Sequence, residues 1–465
     1  MVENLVDTPL IYAALFNLLV WFAIGFVVVR VWQAPIYHPF VVYLLYHFVG
    51  FIVRPFLIYI DGKSFIWLRV GITPTAEDII RVTAIANVAL IAAFLGFTFA
   101  KRTKNLIPAF SPVRFVVLRP FAFYAAVLVL GVAGLYGTYR AYGEAGLQSV
   151  NAFQVTRDAE GGQRLVGISG YTLALAEFLP IICIVLYLCK GSIRTLSILF
   201  IAAFVALRAY IGAQRLSFVV VLVSVFFVSL IEARRRYPGA LIVAGVLFAA
   251  LLFDIVGHDR YVVRRVVLGD ADISSIWTSY VADRGSKSSM DVVEFDSATV
   301  AAMVVDERAG YSYGTQYLRL LYWPIPRQLW PDKPVFTSIV NLNEYGNFTS
   351  MTTTLYVDVY MVYGFISLIP MMFVLGVVQS RLYDTAVRTT SPLVFAFFWI
   401  FLIYFKTILR DGGVTVVYFW AFSMIAAAIL IIVGGVRLQR EPMLVRTRQD
   451  HRAAGALPRT RKAAG

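Results

Sequence analysis

The sequence predicts an all-α fold, a polytopic integral membrane helical bundle that crosses a bilayer about eleven times. Two observations predict it. The chain of 465 residues is 60% hydrophobic and only 15% charged, with a mean hydropathy of +0.76, whereas soluble globular chains are about 45–50% apolar and about 25% charged. Apolar runs of about 20 residues, the length that a helix needs to cross a bilayer core of about 30 Å, recur along the whole chain.

The predicted spans follow from these apolar runs and from the basic residues between them. The spans lie at residues 9–31, 38–60, 79–100, 118–139, 170–189, 195–212, 216–233, 238–256, 352–379, 392–410 and 414–436. Lys and Arg concentrate in cytoplasmic connections. With this set of spans, all the strongly basic segments fall on one side, at residues 101–119, 190–194, 234–236 and 381–388 and in the C-terminal tail. The N-terminus is therefore expected outside and the C-terminus in the cytoplasm.

This topology divides the chain into a membrane domain at 1–436, with a large extracytoplasmic loop at 257–351, and a basic cytoplasmic tail at 437–465. A net charge of +14 raises nucleic acid as a partner. An Arg-rich tail without Phe, Tyr or Trp is better explained by contact with anionic lipids, so we expect membrane lipids and no nucleic acid. The two cysteines and four histidines form no disulfide framework and no metal motif. No metal and no cofactor are therefore expected.

The most informative residues are the cations predicted on the outer side, because the positive-inside rule does not explain them. Arg54 lies inside the second predicted span, and Lys406 and Arg410 lie one helical turn apart and share a face. The others are Arg157, Arg208, Arg215, Arg260, Arg264, Arg265, Arg327 and Lys333, the last two in the segment PIPRQLWPDKP around Trp330. Guanidinium groups bind phosphate oxygens bidentately and Lys binds them as a point charge. Together these cations predict a phosphate-rich membrane ligand such as a lipid diphosphate, whose charge they would also stabilise as it leaves.

Several of these residues also have a simpler explanation. Arg215 and Arg410 could extend from helix ends toward the interface, and Arg54 could form an ion pair within the bundle. Arg264 and Arg265 could lie on a solvated helix face, and Trp330 could anchor its loop at headgroup level. The number of outer-side cations is what favours a binding site.

Four short motifs carry a family resemblance. They are the turn from Gly212 to Arg215, the GYSYG run at 310–314 with the following Pro326, Arg327, Trp330, Pro331, Lys333 and Pro334, the group Tyr360, Tyr363 and Gly364, and the turn Arg410-Asp411-Gly412. In these motifs, and in span number and loop layout, the chain resembles the bacterial oligosaccharide repeat-unit polymerases, the Wzy-type O-antigen and exopolysaccharide polymerases. The first turn reads GAQR, where the family more usually has glycine-serine-arginine-glycine.

The resemblance implies polymerisation of undecaprenyl-diphosphate-linked oligosaccharide repeat units by metal-independent inverting glycosyl transfer on the outer face of the bacterial inner membrane. It implies a fold related to lipid-sugar-dependent glycosyltransferases and O-antigen ligases, and a polysaccharide chain-length regulator as a partner. The implied catalytic residues are Arg215, Arg327 and Arg410, and the implied substrate-binding residues are Lys333 and Arg157, with Arg164 as the alternative to Arg157. Lys406, Arg54, Arg260 and Trp330 are added as substrate-binding candidates from the outer-side residues described above. The base that deprotonates the acceptor stays open among His258, Asp259, Glu344 and Asp411.

Three other functions compete with a polymerase. A ligase of the same fold would share its donor and chemistry, although such ligases usually carry a decisive histidine deep in the large loop, and His258 lies at its start. A transporter of lipid-linked glycan would be expected to show repeated halves, which the sequence lacks. A glycosyltransferase using a lipid monophosphate sugar would place an acidic pair in the first outer loop, where only Asp61, Glu77 and Asp78 are found.

Overall fold

The computed structural model describes residues 4–61, 64–101, 106–142, 153–157, 163–167, 174–211, 216–240, 262–270, 272, 274–278, 294–305, 310–322, 325, 329–330 and 353–441. Seven helices among them are long and apolar enough to cross a membrane: Thr8–Val31, Pro39–Ile60, Ala76–Ala100, Pro120–Arg140, Ser192–Ile211, Thr354–Arg388 and Pro392–Asp411. Three shorter apolar helices are Phe178–Leu188, Val219–Glu232 and Trp420–Val433. The chain is therefore an all-α membrane protein. Most of the predicted span at 238–256 lies outside the described residues, so the number of spans stays a prediction.

The helices are numbered here in chain order. They are α1 (Asn4–Gly25), α2 (Pro39–Phe48), α3 (Arg54–Asp61), α4 (Phe65–Val70), α5 (Ala76–Ala100), α6 (Pro120–Tyr142), α7 (Phe178–Leu188), α8 (Ser192–Ile211), α9 (Leu216–Glu232), α10 (Val262–Leu268), α11 (Glu294–Val304), α12 (Thr315–Tyr322), α13 (Thr354–Arg388), α14 (Pro392–Asp411) and α15 (Gly413–Val433). The strands are β1 (Val113–Val116), β2 (Phe153–Arg157), β3 (Gln163–Gly167) and β4 (Arg437–Arg440), which form the antiparallel pairs β1–β4 and β2–β3.

One end of the bundle collects the basic segments that the sequence predicts to be cytoplasmic. The side chains of Arg114 and Arg194 both bind the carboxylate of Glu232. The guanidinium of Arg440 donates to the carbonyls of Ala386 and Thr389 at the C-terminal end of α13. The helix dipole stabilises a cation at this end. Strand β4 pairs with β1, so the first residues of the predicted tail belong to the folded domain. We call this the basic end; which side of the membrane it faces stays a prediction.

The second predicted span is not a continuous α-helix, and buried polar side chains bind its irregular part. Residues Val49–Val53 form a π-helical segment between α2 and α3, a geometry that is rare and concentrated at functional sites. The amide of Asn17 donates to the Phe51 carbonyl at 2.7 Å, and Asn87 of α5 donates to the Asn17 side chain. Buried amides from two neighbouring helices therefore stabilise the altered backbone, as polar groups do within membranes.

The helix α13 is broken near its start. Tyr363 and Gly364 have non-helical backbone angles, and Gly364 has a φ of +60° that suits glycine. Residues 354–362 thus form a separate, largely buried half-helix, and residues 365–388 form a longer one. The predicted span at 352–379 is corrected in this respect, since the helix extends to Arg388 and is not continuous.

Close packing holds the longer half of α13 against α5. A Cβ atom added at Gly96 would lie 1.9 Å from the Phe373 carbonyl oxygen, and one added at Gly376 would lie 1.9 Å from the Ala93 carbonyl oxygen. Small residues at such positions allow membrane helices to approach closely and pack by van der Waals contact.

The helix α11 lies within residues 257–351, which the sequence predicts to form an extracytoplasmic loop. All its residues from Glu294 to Val304 are buried. It contacts the π-helical segment, α5 and α13, so this part of the segment belongs to the packed bundle.

Candidate functional site

The structure describes five of the nine predicted site residues at least in part. Arg54 begins α3, Lys406 and Arg410 lie in the last turns of α14, and Trp330 is 37% exposed with its ring 5.8 Å from that of Tyr322. The backbone of Arg157 pairs with Gln163 in the β2–β3 hairpin. The remaining four, Arg215, Arg260, Arg327 and Lys333, lie outside the described residues, as do His258, Asp259 and Glu344.

The end of α14 presents the two cations that the sequence predicts to share a face. This helix has 20 residues, or about 30 Å, and it starts beside Thr389, so it ends far from the basic end. Lys406 is exposed, and the Arg410 side chain is 39% exposed with its Nε 3.1 Å from an oxygen of Asp411. Both cations are therefore accessible at the end that the topology predicts to be outer.

The turn after α14 is fitted against the half-helix of α13. Gly412 has a φ of +81°, and a Cβ there would lie 3.2 Å from the carboxylate of Asp358. Only glycine combines this backbone with so close a neighbour. The Tyr317 hydroxyl donates to the Asp358 carboxylate at 3.3 Å. Burial and that carboxylate raise the pKa of Tyr317, which keeps its phenol protonated as the donor.

The GYSYG segment satisfies backbone groups that the break in α13 releases. The Ser312 amide donates to the Met361 carbonyl at 2.8 Å, and the Tyr313 amide donates to the Val362 carbonyl at 3.0 Å. The side-chain amide of Gln316 donates to the backbone carbonyl of Asp358 at 3.0 Å. The segments 310–314 and 360–364 of the family resemblance are therefore in contact, and Gly412 of a third motif packs nearby against Asp358.

Aromatic side chains surround this junction. The ring centroid of Tyr363 lies 5.6 Å from that of Tyr311 and 5.6 Å from that of Tyr313. Tyr313 is 73% exposed and Tyr363 44% exposed. Rings with an apolar face and a hydroxyl suit a ligand that has both apolar and polar surfaces.

Arg54 lies in a buried ion pair. Its Nε and Nη2 atoms donate to the two carboxylate oxygens of Asp296 at 2.9 and 2.6 Å, and Ser64 also donates to that carboxylate. Trp67 donates to the Asp296 backbone carbonyl at 3.3 Å. This arrangement favours the simpler explanation of Arg54, a structural ion pair, and the binding role stays a prediction.

Glu294 lies on the same helix as Asp296 but in a different environment. It is 3% exposed, and its Oε2 atom has no hydrogen-bond partner in the part of the chain that the structure describes. A Cβ atom added at Gly50 of the π-helical segment would lie 3.1 Å from the Cβ atom of Glu294, so the Glu294 side chain packs directly against this glycine. Burial raises the pKa of Glu294, while nearby Lys406 and Arg410 act to lower it. Glu294 therefore experiences the field of the exposed cations of α14.

A second buried polar network connects α14 to its neighbours. Tyr404 donates to Glu177 at 2.8 Å, and Ser423 of α15 contacts the Tyr404 hydroxyl at 3.2 Å. Arg208 is 1% exposed, and its Nη2 lies 3.9 Å from the other oxygen of Glu177. Arg208, a cation that the sequence predicts on the outer side, is thus held inside the bundle by a carboxylate.

Comparisons with models of protein families, with curated proteins and with solved structures found no match to this chain. The family resemblance therefore rests on the motifs and stays a prediction. Among the described residues, no group of three or more His, Cys, Asp or Glu side chains could hold a metal ion.

The sequence reasoning missed Glu294, Asp296 and Asp358. A signal for the first two was present, since EFD opens the otherwise apolar run EFDSATVAAMVV. Ionisable residues next to such a run are candidates for buried functional groups in a membrane protein. Asp358 had a similar signal within the run TLYVDVYMV.

Proposed function

We propose that the chain polymerises oligosaccharide repeat units carried on undecaprenyl diphosphate, by metal-independent inverting glycosyl transfer on the outer face of a bacterial inner membrane. The observation that carries this proposal is the contact between the segments 310–314 and 360–364, with Gly412 packed nearby against Asp358 and next to the exposed Lys406 and Arg410. These segments are far apart in sequence, and they are the ones that resemble the polymerase family.

The chemistry assigned to this place follows from its charge. Arg410 and Lys406 would bind the diphosphate of the donor and stabilise the negative charge that develops as the diphosphate leaves. Arg215, Arg327 and Lys333 are proposed to join them, and Arg157, Arg260 and Trp330 to bind the remainder of the substrate. Tyr313 and Tyr363 offer an exposed aromatic edge for the sugar rings. Membrane lipids and a chain-length regulator are the proposed partners.

Deletion of the gene in its host tests this function. Mass spectrometry of the surface polysaccharide and its lipid-linked precursors should find single repeat units on undecaprenyl diphosphate, or one unit capped on the final acceptor. The same products should persist after complementation with Arg215→Ala, Arg327→Ala or Arg410→Ala proteins that reach the membrane. Long polymer that stays on the lipid carrier would identify a ligase instead.

A transporter of lipid-linked glycan is the second candidate, because a broken helix such as α13 is a feature of transporter sites. In that case the deletion strain would accumulate repeat units on the cytoplasmic side. Unchanged precursors and polymer, with all three variants fully active, would contradict the glycan function altogether.

A further inference from the structure

The helix α11 carries two buried carboxylates, Asp296 and Glu294, that differ in their hydrogen bonds. Asp296 accepts two hydrogen bonds from Arg54 and one from Ser64, so its carboxylate is held in a structural ion pair. Glu294 is equally buried, but its Oε2 atom has no hydrogen bond among the described residues. Asp296 is therefore held by Arg54 and Ser64, whereas Glu294 keeps an acceptor oxygen for another group.

The position of Glu294 relative to the exposed cations follows from contacts along the second predicted span. Glu294 lies against Gly50. Tyr46, one helical turn earlier, donates from its hydroxyl to the Leu409 carbonyl at 3.0 Å, directly before Arg410. The same face of the second span therefore contacts both Glu294 and the end of α14. The charged groups of α14 that act on Glu294 are Lys406, Arg410 and Asp411.

We infer that Glu294 accepts the proton of the acceptor hydroxyl during glycosyl transfer, an inference that rests on the proposed function. The acceptor oxygen forms a bond to the anomeric carbon, and the bond from that carbon to the diphosphate oxygen breaks. The electron pair of the broken bond stays on the leaving diphosphate, and the hydroxyl proton moves to the carboxylate. No oxidant, reductant or metal enters this balance.

The neighbouring cations would couple this base to the donor. Before the donor binds, Lys406 and Arg410 lower the pKa of Glu294 against the effect of burial. As the diphosphate leaves, it gains negative charge beside these two cations and offsets their charge, so the carboxylate becomes more basic as the acceptor loses its proton. Glu294 would thus gain affinity for a proton at the stage at which the acceptor must lose one.

Purified protein in proteoliposomes, supplied with lipid-linked repeat units, tests the inference. Glu294→Gln removes the ionisable group with little change of shape, and it should lower turnover by about 10²–10⁴-fold while undecaprenyl diphosphate still binds. Glu77→Gln is the matched control, because Glu77 is an exposed carboxylate on α5, and it should keep wild-type turnover. Glu294→Asp, which keeps a carboxyl group, should retain part of the turnover with a displaced pH profile.

Infrared difference spectroscopy gives a readout that does not depend on turnover. Undecaprenyl diphosphate is the leaving group as it stands after transfer, so adding it should increase the protonated-carboxyl band of the wild type and should leave that of Glu294→Gln unchanged. A Glu294→Gln variant that polymerises at the wild-type rate, or an equal band in both proteins, would overturn the role of Glu294 and leave the proposed function intact. Wild-type protein that makes no polymer would overturn both. Should Glu294→Gln fail to fold, an unaltered pH profile of Glu294→Asp would overturn the inference.

Discussion

At the scale of single residues, Arg54 shows how a charge is tolerated within a membrane bundle. Its guanidinium and the Asp296 carboxylate are both buried, and they face each other through two hydrogen bonds. Removing one partner would leave the other charge buried without compensation, which typically costs about 3–5 kcal/mol. A surface pair is worth about 0–1 kcal/mol, because water screens it.

We therefore expect Arg54→Ala and Asp296→Ala to destabilise the protein strongly and to similar extents. The pair of half-buried Arg81 with exposed Glu77 supplies the control, and Arg81→Ala should change stability little. Thermal unfolding in detergent measures both effects. If Arg54→Ala unfolded at the wild-type temperature and only donor binding were lost, Arg54 would instead be a substrate ligand.

The pH dependence of stability is a second test at this scale. Burial raises the pKa of Glu294 above its ordinary value, so between the two values the folded protein binds more protons than the unfolded chain. Stability then falls as pH rises through this window. The unfolding temperature of the wild type should decrease with pH relative to that of Glu294→Gln, starting near the ordinary pKa of about 4.3. Parallel pH profiles of the two proteins would rule out a raised pKa.

At the scale of elements, hydropathy predicts the long apolar helices, because about 20 consecutive apolar residues have few alternatives to a span. It does not predict where a helix breaks. The interruption at Tyr363 and Gly364 depends on Ser312 and Tyr313, whose amides bind the released carbonyls from a distant segment. The helix α11 was missed for a related reason, since a run of 11 residues that starts with carboxylates is too short to predict as a span.

The contact between α5 and α13 leads to a prediction about packing. Gly376→Ala would place a methyl group 1.9 Å from the Ala93 carbonyl oxygen, so the two helices must separate and lose contacts along their length. Gly131→Ala is the control, because a Cβ there has no neighbour within 4 Å and alanine favours a helix. Size-exclusion profiles and unfolding temperatures should show a loss for the first variant and none for the second. Equal behaviour would contradict the close approach.

At the scale of the whole molecule, charge separates the two ends of the bundle. The basic segments predicted from sequence do come together, through the β1–β4 pair and the contacts of Glu232 and Arg440. The sequence could predict this because Lys and Arg follow topology. The partners of individual cations were not predictable, since Arg54 and Asp296 are 242 residues apart along the chain.

The orientation of the molecule follows from this asymmetry. We expect the basic end to face the cytoplasm. A fluorescent protein fused after Glu441 should therefore fluoresce, and alkaline phosphatase fused at the same position should be inactive. The reverse pattern would place the cations of α14 on the cytoplasmic side and would exclude transfer at the outer face.

The central claim is that Arg410 and its neighbours act on a diphosphate-linked glycan. The most direct measurement is the conversion of purified lipid-linked repeat units into polymer by the purified protein in proteoliposomes containing EDTA. The account predicts polymer with the wild type, and a loss of turnover of at least about 10²-fold with Arg410→Ala. Folded, inserted wild-type protein that leaves the repeat units unjoined, or an Arg410→Ala variant as active as the wild type, would contradict it.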